Sequence, residues 1–370
     1  MKVITNIIRV LVGVLFIFSG LVKAIDPLGL SYKMNEFFGK WNWDWAPPFS
    51  LTISIVMIAF EIFAGVALLL GWRPKLVTRL LLLLILFFTF LTGYAYLSGK
   101  FHSCGCFGDC IPITSGVSFT KDLILLVLII FLCLQYNKIQ PVFGKMINAV
   151  LLAGSTIACL LMMFWVLRHL PLRDCLPYAK GKDIIKQMLP PPGAVTDSSV
   201  TYFTYKKDGK LVKFDVNHFP DDFDEATYTD MVREDSLVRK GNATPAITEF
   251  ELKTPAGVDS TKEILAQPGK YILFFAKDWN DQSVLEWSPD YLKVQQAAKA
   301  KNIPLFFITN VPKPNPMFSK GATEQTLICD GIVMKTFLRA RTGLVLMSGS
   351  VIEGKYNIRD LDEALKQINQ

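Results

Sequence analysis

The sequence predicts an α-helical membrane bundle of five spans followed by a soluble α/β domain. Three observations predict it. Hydrophobic residues make up 51% of the 370-residue chain, and mean hydropathy is +0.34. The apolar excess sits in the first half, in stretches near the ~20 residues that cross a bilayer core. From Asp174 onward charge density rises, no stretch is apolar enough to span, and strand and helix patterns alternate. The net charge of +7 comes without a basic patch interleaved with aromatics, so lipid is an expected partner and nucleic acid is not.

The spans read as Val3–Ile25, Leu51–Gly71, Leu76–Leu97, Phe119–Leu134 and Met146–Leu167. The first follows Lys2 and includes Arg9, as a signal peptide would, but it has no small-residue cleavage site and is expected to be retained. Trp72-Arg73-Pro74-Lys75 with Arg79, and the Lys138–Lys145 connection, are rich in positive charge. The positive-inside rule puts both in the cytoplasm, together with the N-terminus. The Asp26–Ser50 loop, the loop before the fourth span and the C-terminal domain then face the other side. In a bacterial inner membrane that side is the periplasm, where disulfides persist.

Within the first external loop, Trp41, Trp43 and Trp45 alternate ahead of Pro47-Pro48, as an interfacial anchor or a docking surface. Glu61 is the one acid deep in an apolar span, and should face the bundle interior or water. Lys23 is its obvious cation, but it sits nearer the outer end of its span, so direct pairing is not expected. Ser19, Thr89 or Thr92 are alternative hydrogen-bond partners. The site reads either as an interhelical anchor or as a proton or small-molecule site.

Seven cysteines divide by position. Cys133 and Cys159 lie inside spans and Cys329 in the soluble half. Cys104, Cys106, Cys110 and Cys175 are expected near the external membrane surface. Four readings stay open for them. A structural disulfide is one, with Cys110 and Cys175 the preferred pair if the third and fifth spans are neighbours, because a bond within Cys104-Gly105-Cys106 closes a strained ring. The others are redox exchange by Cys104, Cys106 and Cys110, a metal site of His102 with the same three cysteines, and free thiols. No resident metal or cofactor is expected, a quinone being the alternative.

Phe18-Ser19-Gly20 with Lys23, Glu61 with Leu69-Leu70-Gly71, and Cys104-Gly105-Cys106-Phe107-Gly108-Asp109 together resemble the DoxX family, and within it the MauE branch. The resemblance covers roughly residues 1–136. It implies a four-helix bundle associated with maturation of disulfide-rich periplasmic enzymes. The chain is also similar to long DoxX proteins of Bacteroidota-type bacteria that append a fifth helix and a periplasmic domain.

In the soluble half, Pro190-Pro191-Pro192-Gly193 predicts a stiff linker, and Lys207-Asp208-Gly209 a hairpin turn between Val200–Tyr205 and Leu211–Phe214. Strand Tyr271–Ala276, helix Ser283–Ala300, strand Pro304–Thr309, helix Val333–Arg341, strands Gly343–Met347 and Val351–Lys355, and helix Leu361–Ile368 follow. This order resembles a thioredoxin fold. Asn280 and Ser283 stand at the two redox positions after Trp279, and Thr342 at the cis-proline position. Without sulfur the domain is expected to bind rather than to reduce. The expected partition is a bundle over 1–140, a fifth transmembrane helix over 141–173, a linker and hairpin over 174–250, and a periplasmic thioredoxin-like domain over 251–370. The leading functional expectation is an inner-membrane accessory protein that assists assembly or maturation of an unidentified periplasmic or envelope partner. The alternatives are a membrane thiol–disulfide oxidoreductase that links the loop cysteines to a quinone, and a proton or small-molecule site at Glu61. Oligomeric state is not readable.

Overall fold

A computed structural model describes residues 1–99, 105, 108, 110–111, 113–195, 198–207, 210–215, 218, 220, 223–224, 228–239, 241, 243–278, 280–311 and 325–370. Five helices among them are long and apolar enough to cross a membrane. They are α1 (Lys2–Ala24), α3 (Ser50–Leu70), α4 (Pro74–Ser98), α5 (Ser115–Leu134) and α6 (Lys145–Arg168). Each agrees with a predicted span to within a few residues. The first loop, expected to be irregular, holds a helix of its own, α2 (Pro27–Lys40). Asp26 caps it by accepting from the Gly29 amide, with Pro27 at its first position.

Helix α1 packs along α3, and α4 along α5. The α1–α3 contact depends on missing side chains. A Cβ on Gly65 would lie 2.8 Å from the Gly13 carbonyl oxygen, and one on Gly20 would lie 2.5 Å from Ile62 Cγ1. Small residues of this kind let two helix backbones approach inside a membrane, where there is no hydrophobic drive to hold them together. At the other end, Arg9 turns into the bundle and donates to the carbonyls of Leu68, Leu69 and Gln140. Those carbonyls include the last of α3, which intrahelical bonds leave unpaired. The sequence reading treated Arg9 only as a flanking charge. It is a buried clamp on the α3–α4 turn, 6% exposed.

The soluble half contains a five-stranded sheet in the order β6-β5-β4-β7-β8. Its strands are β4 (Lys270–Ala276), β5 (Leu305–Thr309), β6 (Gln325–Ile328), β7 (Thr342–Ser348) and β8 (Val351–Asn357). β4, β5 and β6 run parallel, and β7 and β8 antiparallel. β4, β5 and β7 are apolar on both faces because helices cover both sides. One face carries α9 (Asp281–Ala300) and α11 (Leu361–Asn369). The other carries α8 (Thr261–Leu265) and α10 (Gly331–Leu338), with α7 (Ile184–Gln187) beside them. The parallel edge strand β6 was missed; its four residues are too short for a pattern.

A separate three-stranded antiparallel sheet, β2-β1-β3, is built from β1 (Ser198–Lys207), β2 (Lys210–Asp215) and β3 (Tyr228–Arg239). The predicted hairpin is its first two strands, and β3 was not anticipated. The stretch 174–250 is therefore more than linker and hairpin. Tyr178, Ile184, Ile247 and Phe250 are buried in the core of the α/β domain, and Asp183 bridges to Val351 on the β8 edge.

Candidate functional site

The ends of α1 and α4, the starts of α3 and α5, and helix α2 meet at one end of the bundle, where Gly105 and Gly108 of the cysteine loop also lie. Lys23 Nζ is 2.5 Å from Glu61 Oε1, with the two side chains 2% and 1% exposed. This corrects the expectation that Lys23 sits too near the surface to pair. Side chains on a helix lean toward its N-terminus. α1 and α3 are antiparallel, so Lys23 leans down into the bundle while Glu61 leans up toward it. The glycine contacts bring the backbones close enough for the two to meet. The Lys23 ammonium also lies 4.6 Å from the Phe88 ring centroid, a favourable cation–π position.

A second buried acid completes the cluster. Asp122 on α5 is 1% exposed; it pairs with Lys121 at 2.8 Å and accepts from Thr92 Oγ1 at 3.0 Å. Thr92 thus serves Asp122 rather than Glu61. Asp122 lies near the end of the predicted fourth span, where a charge has an ordinary explanation. The signal was the charge itself, about one helical turn inside the predicted apolar span. Lys23, Glu61, Lys121 and Asp122 border one small, partly open cavity of about 30 Å3, whose other walls are Ser19 and apolar side chains such as Phe16, Phe88 and Leu125.

Two glycines of the cysteine loop touch this end of the bundle. A Cβ on Gly105 would meet Lys33 Cγ of α2 at 3.0 Å, and one on Gly108 would meet the Val22 carbonyl of α1 at 3.5 Å. Both glycines have positive φ, which other residues adopt only with strain. Gly105 thus lies against α2 and Gly108 against α1, and Cys110 is joined to Cys175, with Cα atoms 4.9 Å apart. That pairing does not need the third and fifth spans to be neighbours. α6 packs on α3 and reaches α1 and α2. His102, Cys104 and Cys106 lie outside the described residues, so the redox-exchange and four-ligand metal readings that use them lie there too. Among the described residues no group of three His, Cys, Asp or Glu side chains is placed to hold a metal. Cys133, Cys159 and Cys329 are free thiols.

The Trp-rich loop gathers into an aromatic cluster. Trp41 and Trp43 ring centroids are 5.0 Å apart, and Trp41 also meets Phe37, Tyr94 and Phe90. Trp45 stays 67% exposed, as an indole at a membrane interface would be.

The α/β domain meets the same end of the bundle through a seam of charge. Arg339 Nε lies 3.0 Å from Asp26 Oδ2, and the Arg339 guanidinium is 5.0 Å from the Tyr32 ring centroid. Lys335 also approaches Tyr32, at 5.7 Å. Burial pushes the Tyr32 hydroxyl up to about 12, with Asp26 adding to the shift and Arg339 and Arg341 opposing it. Lys355 is 2.5 Å from Asp174, and His169 Nδ1 is 2.5 Å from Asp360 Oδ1. Burial lowers the Lys355 amine below its ordinary value against the opposing pull of Asp174. Asn357 Nδ2 donates to the His169 carbonyl at 2.8 Å.

Asn280 and Ser283 do structural work. The Ser283 amide donates to Asn280 Oδ1 and the Asn280 amide donates to Ser283 Oγ, both at 2.8 Å. This reciprocal capping box closes the N-terminus of α9. Thr342 begins β7 opposite Ala276, and Trp279 lies outside the described residues.

Residues 1–135 match the family described as methylamine utilisation protein MauE. Residues 199–240 match a domain of unknown function, DUF8463, which coincides with the three-stranded sheet. A curated relative, Protein TlpB of Flavobacterium psychrophilum, is 27% identical over a 175-residue alignment that covers 42% of this chain and 42% of that protein. The chain thus spans less than half the length of that relative. No solved structure matches the chain. The membrane half is MauE-like, and a helical membrane region followed by an α/β domain is the architecture of the whole chain.

Proposed function

We propose that this chain is an integral membrane accessory protein that assists maturation of a protein on the cysteine-loop side of the membrane. The MauE-like bundle anchors it, the cysteine loop supplies its thiol chemistry, and the α/β domain binds the partner. One observation carries the reading: the α/β domain is pinned by the Asp26–Arg339 and Asp174–Lys355 pairs to the same bundle end that bears the cysteine loop. Helix α2 links the two directly. Tyr32 meets the domain, and its neighbour Lys33 meets Gly105 of the loop.

The strand order of the sheet and its α9 cap support a thioredoxin-like domain whose two sulfur positions have become a helix cap. Such a domain still offers sheet edges to an extended segment of a client. The positive charge of the Trp72–Lys75 turn supports a periplasmic placement of the other end in a bacterial inner membrane, and the four-helix pattern supports a DoxX-type bundle.

The test is acid-quenched thiol trapping of envelope proteins in cells that have, lack, or carry a Cys110→Ser, Cys175→Ser version of this chain. A defined set of envelope proteins with altered cysteine state in the last two strains is the expected result. Identical thiol states in all three would overturn the reading. A client effect that also follows the redox state of the quinone pool would favour a thiol oxidoreductase over an accessory protein.

A further inference from the structure

The bundle end opposite the cysteine loop is rich in cations and carries no acid. No Asp or Glu occurs between 62 and 108, or between 123 and 173. An open groove of about 550 Å3 lies at this end. Arg73, Lys75 and Arg79 line it from the start of α4, and Tyr136, Asn137 and Ile139 from the chain after α5. Its volume lies within the ~300–1,000 Å3 of sites that hold small molecules. The walls are held in place from behind. Arg9 Nη1 donates to the Gln140 carbonyl at 3.0 Å, and the Val142 amide donates to the Leu70 carbonyl at 3.0 Å. Lys75 Nζ lies 5.9 Å from the Tyr136 ring centroid, so the two walls face each other.

Three cations gathered here are unfavourable by themselves. Lys75 and Arg79 are four residues apart on one face of α4, a like-charge spacing that destabilises a helix. With Arg73 they crowd the helix N-terminus, where the dipole favours negative charge, and no side chain caps that end. Among the described residues none of the three pairs with a carboxylate. Orienting the chain in a membrane requires positive charge at one end, but it does not require a groove. We propose that this groove binds the anionic headgroup of a phospholipid, with its phosphate diester between Arg73, Lys75 and Arg79. Guanidinium groups match phosphate oxygens in shape and charge. The mixed lining favours a lipid over free phosphate. Leu76, 43% exposed, also borders the groove, and with Ile139 it offers apolar surface to the glycerol and first methylenes. A zwitterionic headgroup fits less well, because it brings a fourth cation to the same place.

The experiment is native mass spectrometry of the delipidated full chain in detergent. It is titrated separately with dioleoyl phosphatidylglycerol, dioleoyl phosphatidylcholine and glycerol 1-phosphate. The expected result is saturable binding of phosphatidylglycerol, with phosphatidylcholine at least about fivefold weaker. Arg73→Gln with Arg79→Gln should weaken phosphatidylglycerol by about 25-fold, about fivefold for each charge near the surface. Lys2→Gln with Lys145→Gln removes the same charge from the same end outside the groove, and should bind as the wild type does. Equal binding of the two lipids by the wild type would overturn the site without reference to any variant. Equal losses in the two double variants would overturn it too, by reducing the groove to diffuse positive charge. Glycerol 1-phosphate bound as tightly as phosphatidylglycerol would overturn the lipid in favour of a soluble phosphate ester. These outcomes are independent of the maturation reading, which rests on thiol states.

Discussion

The bundle and the interdomain seam both bury opposite charges, yet they treat them differently. In the bundle, Lys23 and Glu61 are almost fully enclosed, one carboxylate oxygen is left without a protein partner, and a cavity adjoins it. At the seam, Lys355 is shared between Asp174 and the Tyr178 carbonyl, and Arg339 between Asp26 and the face of Tyr32. The seam uses charge as a latch, with each group held from two sides. The bundle keeps one acceptor open. The same residue types thus act as a latch where each faces two partners, and leave an acceptor open where they do not.

The largest expected effect separates these two uses. Lys23→Met should destabilise the bundle by about 3–5 kcal/mol, because it strands Glu61 as an unpaired buried charge. Lys23→Met with Glu61→Leu should recover most of that loss. Thermal unfolding of the purified full chain in detergent checks both. A double variant as unstable as the single would mean that the pair is required for packing rather than merely balanced by it.

The same contrast explains how much of the molecule was legible in its sequence. Spans were readable because twenty apolar residues have few other uses, and the α/β order because Tyr271–Ala276 and Leu305–Thr309 are short, continuous apolar runs. Lys23–Glu61 was misjudged because depth was assigned from backbone position alone, when the long lysine side chain and the antiparallel lean of two helices decide the distance. Asp122 and Arg9 were passed over because charges near span ends have an ordinary explanation. The seam was illegible in principle: Asp26 and Arg339 are separated by most of the chain, and no local pattern marks either as the other's partner.

The next effect concerns the covalent link between the two regions. Cys110 and Cys175 are 65 residues apart in sequence, so Cys175→Ser should cost about 2–4 kcal/mol through the greater freedom of the unfolded chain. It should also free the cysteine loop from the segment that leads into the α/β domain. Acid-quenched maleimide labelling should find Cys110 blocked in the wild type and reactive in the variant. Full labelling of both cysteines without reductant in the wild type would remove this link from the comparison.

The seam itself should respond more weakly. Arg339→Gln loses the Asp26 contact and most of the stacking on Tyr32, for about 1–3 kcal/mol. Because Lys355 and His169 hold elsewhere, the α/β domain should stay folded while its contact with α2 loosens. Limited proteolysis between 189 and 195, and hydrogen exchange in α2, should both rise. Unchanged exchange in α2 would mean that Asp174 and Asp360 alone fix the domain.

The smallest effect tests the reading of the α/β domain as a binding element. Asn280→Ala removes the side-chain half of the α9 cap and should cost about 1 kcal/mol, seen as a slightly lower melting temperature. It should leave any thiol chemistry of the full chain untouched, because neither Asn280 nor Ser283 carries sulfur. Cys329 cannot substitute for them. It is 2% exposed, and burial together with the neighbouring Asp330 pushes its thiol up to about 12. At neutral pH it is therefore protonated and a poor nucleophile. In the folded protein Cys329 should resist maleimide until denaturant is added, and Cys329→Ser should not alter insulin reduction by the full chain. A reductase rate that falls in Cys329→Ser or Asn280→Ala would place thiol chemistry in the α/β domain, and the division between a chemical bundle end and a binding domain would then fail.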